Sequence, residues 1–244
     1  MSDTNASPHA SRSVAFISAL ILAAGLATGG GLIAGAIRDA RHFDQSVEVR
    51  GLAEQVVKSD QASWQLNFTT FGADALSANR AWANKMTALE QTLKAQGFQA
   101  ENMRRLPLSL SDSFGNGGNL PPLNQRFRAN GGVVVETTDV DLVDRASRTT
   151  ETFVSAGVVL DNSYVRYFFT DLNRIKPGML KAATANARDA AATFAKDSGV
   201  VVGNIKSANQ GLFAISSPVS DYDAESSLMK KVRVVSRIQF FIEP

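Results

Sequence analysis

Ser63–Gly97 reads SWQLNFTTFGADALSANRAWANKMTALEQTLKAQG, and within it the period of the apolar residues changes once. Trp64, Leu66 and Phe68 alternate with Ser63, Gln65 and Asn67, the two-residue repeat of a strand with one buried face. From Asp74 the spacing widens. Ala75, Ala78, Trp82, Met86, Leu89 and Leu93 fall three or four apart, which predicts one buried helical stripe across Asp74–Gln96, and Gly97 suits a left-handed C-terminal cap.

The same pattern extends outward. Upstream, Val47 and Val49 alternate with Glu48 and Arg50. Downstream, Leu142, Ala146, Thr149 and Phe153 close at Gly157, and Leu180, Ala183, Ala187, Ala190 and Phe194 close at Gly199. A strand-like run follows each glycine: FQAENMRRLPLSL from Phe98, VVLDNSYVRYFFT from Val158, and VVVGNIKSANQGLFAI from Val200. RFRANGGVVVET from Arg126 and KVRVVSRIQFFIEP from Lys231 supply two more, the last with Val232, Val234, Ile238, Phe240 and Ile242 on one face. The order β-β-α-β-β-α-β-α-β-β, with strands in adjacent pairs, predicts an α+β domain of mixed β-sheets packed with about three helices, not a doubly wound parallel sheet.

Ser13–Ile37 (SVAFISALILAAGLATGGGLIAGAI) contains no charged residue. As a helix it would reach roughly 37 Å, against a hydrocarbon core of about 30 Å. The expected organisation is a polar tail over 1–12, a single transmembrane helix over 13–37, a juxtamembrane linker over 38–45 and a soluble domain over 46–244. A cleaved signal peptide is the competing reading, since Arg12 precedes the run and Ala23, Ala24 and Ala27 offer small residues to a peptidase. Continuation through Leu32, Ile33 and Ile37 favours a retained anchor. Arg38 and Arg41 against Arg12 weakly favour a cytoplasmic domain by the positive-inside rule. Gly25 with Gly29 and Gly31 with Gly35 form two G-x-x-x-G pairs, a helix face on which two backbones can approach closely, so homo-oligomers are expected.

Composition excludes more than it assigns. With 44% hydrophobic and 20% charged residues the 244-residue chain is globular, and a net charge of +2 gives no basic field suited to nucleic acid. There is no cysteine, and both histidines, His9 and His42, precede the domain. Ser-His and Cys-His nucleophile systems and imidazole or thiolate metal sites are thereby removed, so neither a cofactor nor a metal is expected. Ser227-Leu228-Met229-Lys230 matches S-x-x-K without its supporting elements. Asp221, Asp223 and Glu225 lack the glycine and distal glutamate of a calcium loop. Asp139, Asp141 and Asp144 read as helix-start acids. Ser111–Asn124 and Ser216–Ser227 are polar connections, and Gly115, Gly117 and Gly118 in the first lack the Lys-Ser/Thr of a phosphate loop.

Cations recur on the predicted strands. Arg126 shares a face with Arg128, and Lys231 with Arg233 and Arg237, while Arg104 and Arg105 stand on a third run. Arg126, Arg128, Lys231, Arg233 and Arg237 form a candidate basic surface for anionic lipid headgroups, an envelope polymer or an acidic partner, against the plainer account of a solvated sheet face balanced by acids.

VEVRGLAEQVVKSDQASW, ALSANRAWANKMTALEQTLKAQGF, LKAATANARDAAATFAKDSGVVVGNI and KKVRVVSRIQFFIE, behind a hydrophobic segment, resemble the SIMPL-domain family of bacterial envelope proteins across residues 46–244. The resemblance implies an α+β domain in the periplasm on an inner-membrane anchor, which overrides the charge count. It also implies homo-oligomers in at least some members and a loose link to envelope or oxidative-stress defence. It brings no active-site residues. Ser59-Asp60 stands where the family often has Pro-Asp. The resulting expectation is a non-enzymatic, membrane-anchored, periplasm-facing oligomeric scaffold or binding protein. The alternatives are a hydrolase-like enzyme using carboxylates or Ser227 and Lys230, a ring-forming channel-like assembly, and a secreted periplasmic form left by signal cleavage.

Overall fold

A computed structural model describes residues 18–32, 45–116, 122–220 and 223–243. Among them the chain is α+β with two sheets. Residues 18–32 form a helix, α1, with nearly every residue exposed. No helix among the described residues is long and apolar enough to cross a membrane. Residues 1–17 and 33–44, which include the remainder of the expected anchor, the tail and most of the linker, lie outside the described residues.

The elements that follow are β1 (Ser46–Lys58), β2 (Gln61–Gly72), α2 (Ala75–Ala95), β3 (Met103–Arg105), β4 (Ser109–Asp112), β5 (Phe127–Thr137), α3 (Val140–Ser147), α4 (Glu151–Ser155), β6 (Asn162–Phe168), α5 (Leu172–Ser198), β7 (Val201–Ser216) and β8 (Met229–Glu243). They divide into two compact units, one of residues 52–183 with 210–235, the other of the chain up to 51 with 184–209 and the segment from 236.

The larger unit holds a five-stranded sheet of order β3-β5-β2-β6, with β4 also beside β5. β2 and β5 pair antiparallel from Ala62–Thr137 to Gly72–Phe127. The alternation of β2 buries Trp64, Leu66 and Phe68 completely, and the stripe of α2 meets them with Ala78, Trp82, Met86, Leu89 and Leu93. Trp64 meets Phe153 edge-on at 5.8 Å between centroids, and Phe68 stacks on Trp82 at 6.1 Å. A capping box starts α2: the Ser77 N–H donates to the Asp74 carboxylate at 2.7 Å, and the Asp74 N–H donates to Ser77 Oγ at 3.2 Å. A second cluster in this unit joins Ala53, Phe169, Ile175, Met179, Ala183, Val232 and Val234.

The smaller unit is built around Val49, Ala187, Ala191, Ile238 and Phe240. Its helix face is made of methyl groups, because Ala187, Ala191 and Ala195 recur every four residues and all are buried. The Arg188 guanidinium covers the Phe240 ring at 4.8 Å.

The three glycines expected to end helices, Gly97, Gly157 and Gly199, all have positive φ. Other expectations need correction. The run from Phe98 is a 3-10 turn and two short strands, not one strand. β3 pairs Arg105 with Val133 and β4 pairs Ser109 with Asn130, so Leu106–Leu108 oppose only Gly131 and Gly132. This bulge contains Pro107, which has no N–H for the ladder. The helix expected to close at Gly157 is two, α3 and α4, broken at Arg148–Thr150, so the described helices exceed the expected three. α5 starts eight residues before Leu180 and runs through Pro177. Phe194, expected in the stripe, is 61% exposed, since the buried face follows Ala187, Ala191 and Ala195 instead.

Gly132 fixes the central pairing sterically. A Cβ there would lie 1.9 Å from the Leu66 carbonyl oxygen, a backbone atom that no rotamer change can move. Gly132→Ala should therefore destabilise the protein by about 3 kcal/mol, the upper range of overpacking, seen as a lower urea midpoint. Trp64→Ala should cost about 3–5 kcal/mol through the cavity it leaves.

Candidate interaction surfaces

β8 alternates as expected. Lys230, Val232, Val234, Ser236, Ile238 and Phe240 are buried, whereas Arg233 and Arg237 are exposed and Lys231 is half-buried. In the larger unit Arg233 stands 3.6 Å from Glu54, and in the smaller unit Arg237 stands 3.3 Å from Glu48, so β1 supplies a carboxylate to each. Arg126 is not in a strand. It adopts a helical turn just before β5, so strand alternation does not set its face relative to Arg128. Its guanidinium donates to Asp112 at 2.8 and 3.1 Å and lies 5.1 Å from both the Phe114 and Phe127 rings. These hydrogen bonds hold the Asp112 carboxyl below its usual range. Arg128 donates to Thr69 Oγ at 3.3 Å. Arg104 lies 3.9 Å from Glu136, and Arg105 grips Glu90 through two bonds of 2.6 and 2.8 Å.

Ser227 and Lys230 are each tied to the main chain, not to one another. Ser227 Oγ donates to the Met229 carbonyl at 2.8 Å. Lys230 is 2% exposed, and its ammonium donates to the carbonyls of Ala224 and Glu225, which fastens the turn ahead of β8. Burial pulls its pKa down, opposed by the charges of Glu225 and Asp223.

The acids have comparable duties. Asp139 caps α3 by accepting from the Leu142 N–H at 3.0 Å, Asp141 pairs with Lys58 at 2.5 Å, and Asp144 pairs with Arg148 at 2.9 Å. Asp60 accepts the Thr170 and Asp171 N–H groups at 2.9 Å each and the Thr170 hydroxyl at 3.1 Å, binding the β1–β2 turn to the start of α5. Among the described residues no group of three or more His, Cys, Asp or Glu is placed to hold a metal. Asp221, Gly117 and Gly118 lie outside the described residues.

In α1 a Cβ on Gly25, Gly29 or Gly31 would meet nothing within 4 Å among the described residues, and Gly35 lies outside them. The Thr28 hydroxyl donates back to the Ala24 and Gly25 carbonyls at 2.8 and 3.1 Å, satisfying itself within the helix.

The surface that sequence reasoning missed is β7. The second sheet has the order β1-β8-β7, so among the described residues β7 pairs on one side only over its 16 residues. Val201, Ile205, Leu212 and Ile215 are all exposed, Leu212 by 94%. A strand edge with apolar side chains beside it is a template for another strand. The signal was present in the irregular spacing of these apolar residues, which fits neither one buried face nor two.

Residues 47–237 match the SIMPL family model, described as a protein of unknown function (DUF541). None of the curated proteins matches. Among solved structures, an uncharacterized conserved protein from Listeria innocua is 9% identical, with 78% of this chain and 92% of that one covered, at a TM-score of 0.21. A hydrolase from Listeria innocua is also 9% identical, over 78% of this chain and 91% of that one, at a TM-score of 0.20. Neither likeness bears on fold or activity at such scores.

The Glu90–Arg105 pair makes stability pH-dependent. Its hydrogen bonds lower the Glu90 pKa below 4.5, so its contribution is full above the unfolded value and lost as pH falls through the folded one. Arg105→Met should lower the urea midpoint at pH 7, and the gap from the parent should narrow steadily below pH ~4.5.

Proposed function

The chain belongs to the SIMPL family, and from that premise we propose that it is a membrane-anchored, periplasm-facing oligomeric scaffold or binding protein of the cell envelope, serving stress defence. The observation that carries the assembly is that, among the described residues, β7 has a strand neighbour on one side only, with exposed apolar residues along it. Adding a strand from a second copy would satisfy the open backbone groups and cover Leu212 together. The sheet has two unlike edges, β1 and β7, so head-to-tail pairing of copies closes rings where the rotation allows, and self-pairing of β7 gives two-fold dimers. The anchor assignment rests on the uncharged span 13–37, and its glycine pairs add a second point of contact between copies.

Leu212 makes so little contact within the chain that Leu212→Lys should leave circular dichroism unchanged while shifting sedimentation of the full-length protein toward smaller species. Unchanged sedimentation would remove β7 from the assembly. For orientation, Val219→Cys, at a position 96% exposed, should react in intact cells with a thiol reagent that cannot pass the inner membrane. Labelling only after that membrane is opened would place the domain in the cytoplasm.

A further inference from the structure

Strand register in the larger unit builds a pocket of about 480 Å³ at one end of the five-stranded sheet. Pairing sets Ser63 beside Glu136, Ala62 beside Thr137 and Gln61 beside Phe168, and Asn102 reaches the same space from the turn before β3. The volume falls within the usual range for small-molecule sites, about 300–1,000 Å³, but the lining is polar where such sites are mainly apolar.

The chemistry of the lining is specific. Gln61 and Asn102 each offer an amide that both donates and accepts, and Ser63, Thr137 and Thr138 offer hydroxyls. Thr137 Oγ accepts from the Asp139 N–H at 3.0 Å, which leaves its own proton to donate. Glu136 is the one ionisable group in the lining, and Arg104 at 3.9 Å offsets its charge. Phe168 is 37% exposed, and the Arg166 guanidinium lies 5.9 Å from its ring centroid. A wall of paired donors and acceptors beside one aromatic ring favours a ligand dense in hydroxyls that also has an apolar C–H face.

We propose that this pocket is a saccharide-binding site, in which the amides, hydroxyls and Glu136 hold the hydroxyls of a sugar and Phe168 packs against its ring. Sugar hydroxyls both donate and accept, as the lining requires. The site lies within one chain and does not depend on the assembly proposed above.

The test uses the full chain in a detergent without a sugar headgroup, with cellobiose and N,N′-diacetylchitobiose as probes. Saturation-transfer NMR should show magnetisation passing to the ring protons of at least one disaccharide, and calorimetry should give a measurable affinity. Phe168→Ala and Asn102→Ala, both with unchanged circular dichroism, should each weaken that affinity tenfold or more. Leu212→Lys should leave it unaltered, separating this site from assembly. Absence of transfer to both sugars in the parent, or parental affinity in both pocket variants, overturns the proposal.

Discussion

The close passage of β5 over β2 at Gly132 is the constraint on which the larger unit rests. With no room for a Cβ against the Leu66 carbonyl, the two strands lock in one register, and a slip of one residue would turn Trp64, Leu66 and Phe68 away from α2. Gly131 serves the same interface on its other face, where the Trp82 indole lies 3.0 Å from where its Cβ would be. β3 and β4 hang on the far side of β5 and inherit this register, taking up the spare residue at Pro107. At one end of the ladder the same register assembles the polar pocket, so core and pocket share one geometric origin.

Charge on the exposed faces is largely local. Arg126, Arg233 and Arg237 each face a carboxylate from a neighbouring strand or turn, and such exposed, solvent-screened pairs contribute little to stability. They leave only a weak long-range field, in keeping with the net charge of +2. A polyanion approaching these residues would compete with carboxylates already in place. An open strand edge has no such competitor except water, and this is why backbone pairing, not charge, supports the proposed assembly.

What could be read from the sequence is what depends on near neighbours. The alternation of β2, the stripe of α2 and the positive-φ glycines after α2, α4 and α5 follow from local period and chirality, and all stand in the structure. The bulge at Pro107 and the exposure of Phe194 depend on partners far along the chain, which periodicity does not report. The cations were legible individually, yet their partners Glu48, Glu54 and Asp112 come from other elements. Ser227 and Lys230 keep the spacing of a catalytic pair, but the turn before β8 uses both to satisfy main-chain carbonyls. The pocket was invisible because its lining comes from strand ends that only the register brings together.

The methyl-only helix face of the smaller unit has a consequence for how the molecule breathes. Ala187, Ala191 and Ala195 bury far less apolar surface than the aromatic and leucine side chains gathered around Trp64, so each turn of helix there is held by a smaller hydrophobic contribution. Partial openings follow the least buried surface, so amide hydrogens in this part of α5 and β8 should exchange through local fluctuations while those of β2 wait for global unfolding. The first half of β7 belongs to this same unit. The first half of the strand whose edge is proposed to pair with another copy thus lies in the part of the molecule that yields first, which leaves that half freer to adjust than the half carrying Leu212.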